Sequence, residues 1–123
     1  MRALIIEDSR AMRSILAGIL GDAGFDVTLA ANAEEALEIL EDDLSFELAL
    51  VGWNLPALGG LDLVKAIRKR PNHRGIKLMM VTTETQLGRV REALEAGADE
   101  YIMKPFDREM LLEKLVLLGI EVD

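Results

Sequence analysis

No cysteine occurs anywhere in this chain, which excludes a disulfide framework and a thiolate metal site. Aromatic residues are scarce, at 4% against 50% hydrophobic residues overall, so the core must be aliphatic. Long apolar runs are also missing. None approaches the ~18 residues of a membrane-spanning helix, and Met1-Arg2-Ala3-Leu4-Ile5-Ile6-Glu7-Asp8 breaks off too soon for a signal peptide. Basic residues are outnumbered, 14 Lys and Arg against 22 Asp and Glu, giving a net charge of −8. Nucleic-acid phosphates would be repelled by that charge. Neither a membrane nor a nucleic acid is an expected partner, and the composition reads as that of a soluble, cytoplasmic protein. Nothing in the chain looks like a linker, a repeat or a low-complexity segment. Residues 1–123 fit one domain within the usual ~100–200 residues, long enough to bury roughly two-thirds of the unfolded surface.

What the chain does have is alternation. Ala3–Ile6 is a short apolar run that predicts a strand. Ser9 is placed to cap a helix in which Met12, Ile15, Leu16, Ile19 and Leu20 recur at helical spacing, with Gly24 as the stop. Val27–Ala30 predicts a second strand. Asn32 and Glu35 form a capping box ahead of Ala36, Leu37, Leu40 and Leu44. Leu48–Val51, Lys77–Val81 and Glu100–Met103 predict three more strands. Between them Leu61, Val64 and Ile67 mark a third helix ended by Pro71, and Val90, Ala93, Leu94 and Gly97 mark a fourth. Asp107 caps a last helix with Leu111, Leu115 and Leu118 inward, and Phe106 with Leu111 fits a hydrophobic staple. This βαβαβαβαβα order implies an α/β fold: a parallel sheet of five strands with helices on both faces. Ligands of such sheets bind outside the carboxyl ends of the strands.

The chemistry-bearing residues fall at those ends. Glu7-Asp8 follows the first strand, Thr82-Thr83 the fourth and Lys104-Pro105 the fifth. Acid, hydroxyl and cation on neighbouring strand ends suit a phosphoryl group with its Mg²⁺. The middle strand, where a nucleophile belongs, runs into Gly52-Trp53-Asn54-Leu55-Pro56 and offers only hydrogen at Gly52.

The ordered set Ile6-Glu7-Asp8-Ser9, Val51-Gly52-Trp53-Asn54-Leu55-Pro56, Met80-Val81-Thr82-Thr83-Glu84, Ala96-Gly97-Ala98 and Tyr101-Ile102-Met103-Lys104-Pro105-Phe106 resembles the response-regulator receiver domains of two-component (phosphorelay) signalling. It is most similar to the stand-alone chemotaxis regulators. The resemblance spans the whole chain and implies a flavodoxin-like (βα)5 fold with strand order 2-1-3-4-5. It implies a signalling module, not an enzyme, whose acceptor aspartate takes a phosphoryl group from a histidine kinase. It further implies that Glu7, Asp8 and the Asn54 carbonyl are the Mg²⁺ ligands, and that Thr82 is the hydroxyl that moves towards the phosphate. Lys104 would be the phosphoryl partner, Pro105 a cis-proline, and Tyr101 the aromatic switch on the partner-binding face.

Three positions depart from the pattern. Gly52 falls on the phosphoacceptor position, Glu7 stands where an aspartate is commoner, and Gly59 replaces an acidic or amide residue. Glycine cannot be a nucleophile or a metal ligand, and in a strand it costs roughly 0.5–1 kcal/mol against alanine. The expectation is therefore a monomeric receiver not phosphorylated at position 52, an inactivated variant or a pseudo-receiver, with Mg²⁺ weakly bound or absent. Nothing that resembles an effector domain follows Leu118, so output is expected through docking to a downstream protein. Lys104 is expected to neutralise Asp8, Trp53 to be half exposed beside the pocket, and His73 to be a solvated loop residue without a role.

Each residue also has a plainer reading. Glu7-Asp8 can be an acid pair favoured by the following helix dipole, Lys104 an exposed lysine, Thr82 a strand-end hydroxyl and Tyr101 an edge-strand aromatic. Met79, Met80 and Met103 are most simply core. Two other function classes compete with the first. One is a phospho-receiver that uses Glu7 or Asp8 as acceptor, against which stands the in-line geometry of phosphoryl transfer. The other is a flavin-binding or Mg²⁺-dependent enzyme of the same topology. Against a flavin site, the segment after the first strand, Asp8-Ser9-Arg10-Ala11-Met12, holds no glycine. An aspartate-nucleophile hydrolase is excluded from its usual position by Gly52.

Overall fold

The computed structural model describes residues 1–73, 75–83 and 88–122; Glu84, quoted above, lies outside them. Strands β1 (Arg2–Ile6), β2 (Asp26–Ala30), β3 (Phe46–Gly52), β4 (Lys77–Thr82) and β5 (Glu100–Met103) alternate with helices α1 (Arg10–Asp22), α2 (Ala33–Asp42), α3 (Gly60–Arg68), α4 (Val90–Ala96) and α5 (Arg108–Leu117). The strands form one sheet in the order β2-β1-β3-β4-β5, every pair parallel. The expected flavodoxin-like topology is the one observed.

The helices begin where their caps dictate. The Ser9 hydroxyl accepts from Met12 N at 3.2 Å, and Asp107 accepts from Met110 N at 2.8 Å. Asn32 accepts from Glu35 N at 2.8 Å while Glu35 Oε2 reaches back to Ala31 N at 2.9 Å, so two otherwise orphaned donors are satisfied together. Gly24 adopts φ 98° just past α1, the left-handed turn that glycine makes without strain.

The period of two along each strand sorts the core into two layers. Leu4, Ile6, Ala49, Val51, Leu78 and Met80 pack with Ala36, Leu40, Leu63, Ile67 and Ala93 from α2, α3 and α4. Ala3, Ile5, Leu48, Leu50, Met79, Val81 and Ile102 pack with Leu16, Leu20, Leu111 and Leu115 from α1 and α5. Central strands buried on both faces explain the near-continuous apolar runs.

Two helix expectations are corrected. Leu44 is not on the inner face of α2, because the helix ends at Asp42 and Leu44 is 58% exposed in the following loop. Ile15 and Leu94 fit the apolar spacing of α1 and α4, yet both are exposed. Their apolar stripes are wider than the sheet surface the helices cover.

Candidate functional site

Following the strand alternation to the last residues of β3 and β4, and one residue past β1 and β5, places the site. Glu7 follows Ile6, and Gly52 follows Val51. Both take the parity of Ile5 and Leu50, and so does Lys104 with respect to Ile102. All three therefore lie on the α1/α5 side of the sheet, whereas Thr82 has the parity of Met80 and lies on the other. The registers Ile6↔Val51 and Gly52↔Val81 bring these ends level.

Glu7 is buried, its side chain only 5% exposed. The strand ladder continues through it, with Glu7 N donating to Ala30 O at 3.2 Å. Its Oε1 accepts from Ser9 N at 3.4 Å. Its Oε2 lies 3.7 Å from Lys104 Nζ and has no hydrogen-bond partner. Burial pushes the Glu7 carboxyl above its ordinary pKa; Lys104 opposes that rise, and neighbouring Asp8 adds to it. Asp8 itself is exposed. Lys104 is thus paired with Glu7 and not with Asp8 as the sequence suggested: Glu7 turns inward along the sheet, and Asp8, one residue on, turns out. Arg13, one turn into α1, donates from Nη1 to the carbonyls of Glu7 at 2.7 Å and Asp8 at 3.2 Å.

Gly52 closes β3 and is itself buried. A Cβ built on it would lie 2.7 Å from Glu7 Oε2, 3.2 Å from Glu7 Cδ and 3.2 Å from the Ile6 carbonyl oxygen. The space where its side chain would begin is filled by the Glu7 carboxylate. Beyond it the loop folds back tightly. Trp53 N donates to Val81 O at 3.2 Å, and Gly60 N to Trp53 O at 3.0 Å. A Cβ on Gly60 would stand 2.2 Å from the Gly52 carbonyl oxygen, so α3 can start against β3 only with glycine there. Only the fold shows that this glycine is obligatory. Gly59 meets nothing closer than 3.9 Å. Asn54 is exposed at the loop tip.

Thr82 is fully buried, and its Oγ1 donates to Thr83 O at 3.3 Å. Lys104 N donates to Thr82 O at 2.8 Å, which ties the two strand ends together, and the Lys104–Pro105 peptide is cis. Tyr101, half-buried on β5, carries Lys114 Nζ 4.4 Å from its ring centroid. Trp53 is not half exposed: it is 7% exposed, packed in the α2/α3/α4 layer with the Arg89 guanidinium 5.2 Å from its ring centroid. His73 is not solvated either. It is 3% exposed, and its Nε2–H donates to Leu40 O at 2.6 Å. A short 3₁₀ turn, Pro71–His73, swings it under the end of α2, a contact no local pattern could announce. A surface hollow of about 580 Å³ runs along α5 past Asp107, Leu112 and Val116, and none of the site residues lines it.

Residues 3–116 match the response regulator receiver domain family. This chain belongs to that family. The receiver is 40% identical to the chemotaxis protein CheY1 of Helicobacter pylori over 97% of this chain and 98% of the relative. It is 34% identical to the chemotaxis protein CheY of Pseudomonas aeruginosa over 94% of this chain and 93% of the relative. The solved structure of the Vibrio cholerae chemotaxis protein CheY4 superposes with a TM-score of 0.87 at 32% identity, covering 94% of the receiver and 96% of that chain. Receiver domains are in general non-enzymatic signalling modules that interact with histidine kinases and downstream targets and bind Mg²⁺ in the phosphorylation site. No helix among the described residues is long and apolar enough to cross a membrane.

Proposed function

We propose that residues 1–123 act as one cytoplasmic receiver of a chemotaxis-like two-component system, that the chain is a monomer, and that it signals by docking to a downstream protein without phosphorylation at position 52. The observation that carries this reading is Gly52 at the carboxyl end of the central strand. It is level with Glu7, Thr82 and Lys104, the residues that the family resemblance assigns to metal and phosphate, and it has no carboxylate to offer. Thr82 and Lys104 keep the switch and phosphate-partner positions, and Tyr101 the reporter position on β5.

The residues present do not fit a resident Mg²⁺. Among the described residues no three carboxylate or histidine side chains converge. The buried acid, Glu7, already faces the Lys104 ammonium, and Arg13 occupies the adjacent backbone carbonyls. Mg²⁺ asks for oxygen ligands in near-octahedral array, and two cationic side chains stand against it. Glu7, Asp8 and the Asn54 carbonyl would hold it only weakly, mainly through water.

A second reading has one observation in its favour. The Glu7 carboxylate reaches within 2.7 Å of where a Cβ at position 52 would be, nearer to an acceptor's place than strand spacing alone suggests. Its burial and its pairing with Lys104 disfavour phosphorylation there. Treatment with acetyl phosphate and Mg²⁺ followed by intact-mass measurement decides between the two. The expected outcome is no change in mass. A stable gain of about 80 Da, one phosphoryl group, would replace the first reading with the second.

A further inference from the structure

We propose that Glu7 takes the place of the side chain missing at position 52: its carboxylate fills the volume of the absent acid and is the positioning group that holds Lys104 over the end of β3. The inference rests on the reading of Gly52 as a vacant acceptor position and adds to it what occupies the vacancy.

Four observations converge. Glu7 and Gly52 sit side by side, one residue beyond the Ile6↔Val51 pair, on strands whose spacing is ~4.8 Å. Both have the parity that faces α1 and α5, so a side chain from one can enter the space of the other. Glutamate is one methylene longer than aspartate, and that extra reach carries Oε2 to 2.7 Å from the ideal Cβ of residue 52. A carbon and an oxygen do not approach that closely, so the present position of Glu7 requires a glycine at 52. Finally, Oε2 is buried without a hydrogen bond, and the positive group facing it is Lys104 Nζ at 3.7 Å. An unpaired buried carboxylate is costly, so Lys104 keeps Glu7 turned inward as much as Glu7 keeps Lys104 in place.

Two of the three departures from the family pattern, the longer acid at 7 and the glycine at 52, are then one feature. The pocket carries a single inward carboxylate against Lys104, supplied from β1 instead of β3. Putting an aspartate at 52 by itself places two acids in one volume and before one lysine, and Glu7 must swing out to admit it.

The experiment is a double-substitution cycle on the full chain: Glu7→Gln, Gly52→Asp and the two together. It is read at one pH by acylation of Lys104, quantified by peptide mass spectrometry, and by thermal unfolding. Glu7→Gln keeps the shape and removes the charge, so Lys104 should label faster, by about fivefold. Adding Gly52→Asp to it should return labelling to within about twofold of the unaltered chain, because an acid is restored to the same place. Gly52→Asp alone should lower the melting temperature, and the double variant should recover most of that loss. Lys104 labelling unchanged by Glu7→Gln, protection not restored by the aspartate, or additive thermal effects would each overturn the proposal. These readouts are independent of phosphorylation. A mass gain with acetyl phosphate would sink the reading of position 52 while leaving the cycle to judge the side-chain exchange.

Discussion

Two buried polar residues divide the molecule into a finished region and an unfinished one. His73 and Glu7 are equally hidden, at 3% and 4% exposure. His73 gives its Nε2–H to the Leu40 carbonyl and joins the end of α2 to the turn after α3. Glu7 leaves Oε2 without a hydrogen bond, faces an ammonium at 3.7 Å and has its carboxyl pushed upward by burial. Burial alone therefore says little about role. A satisfied buried group is structural, whereas an unsatisfied charged one at the carboxyl end of a parallel sheet is a candidate for a ligand site.

The comparison breaks if the unfinished end is loosely packed, and the sharpest test is Gly60→Ala. Its Cβ would stand 2.2 Å from the Gly52 carbonyl oxygen, backbone that cannot step aside without moving the start of α3. A loss of about 3 kcal/mol or more in urea unfolding is expected, and a near-neutral result would mean that the loop has slack. Next in size is His73→Ala at the finished end. It removes a buried ring and strands the Leu40 carbonyl, for about 2–4 kcal/mol in the same measurement. A cost under about 0.5 kcal/mol, typical of surface sites, would return His73 to the solvated role the sequence suggested.

The smallest effect is that of Glu7→Gln, and it lies in the pH dependence. Because the folded-state pKa of Glu7 is raised, the folded chain binds its proton more tightly than the unfolded one. Stability is then greatest below the unfolded carboxylate pKa and falls as pH rises from there through the folded value. Glu7→Gln lacks that decline, so its melting temperature relative to the unaltered chain should increase steadily from acid to neutral pH. A difference independent of pH would show that Lys104 offsets the burial of Glu7 in full.

Local rules carried much of this protein. The caps at Ser9, Asn32 and Asp107, the apolar period of each strand and the strand–helix alternation depend on neighbours within a few residues, and each was legible as written. The carboxyl-end position of Glu7, Gly52, Thr82 and Lys104 followed from the same alternation. What escaped were contacts between distant segments. Trp53 reads as a loop residue, but the return of α3 against β3 seals it in. His73 reads as lone and polar until a turn carries it beneath α2. Lys104 seemed bound for Asp8, since two adjacent acids look alike in a string of letters. Strand parity turns Glu7 to the α1/α5 side, Asp8 lies exposed beyond the end of β1, and the bare Cα of Gly52 leaves room for Glu7. Pattern along the chain decides which way each residue faces; which of the inward-facing groups meet, and whether they satisfy one another, depends on distances set only when the strands lie side by side.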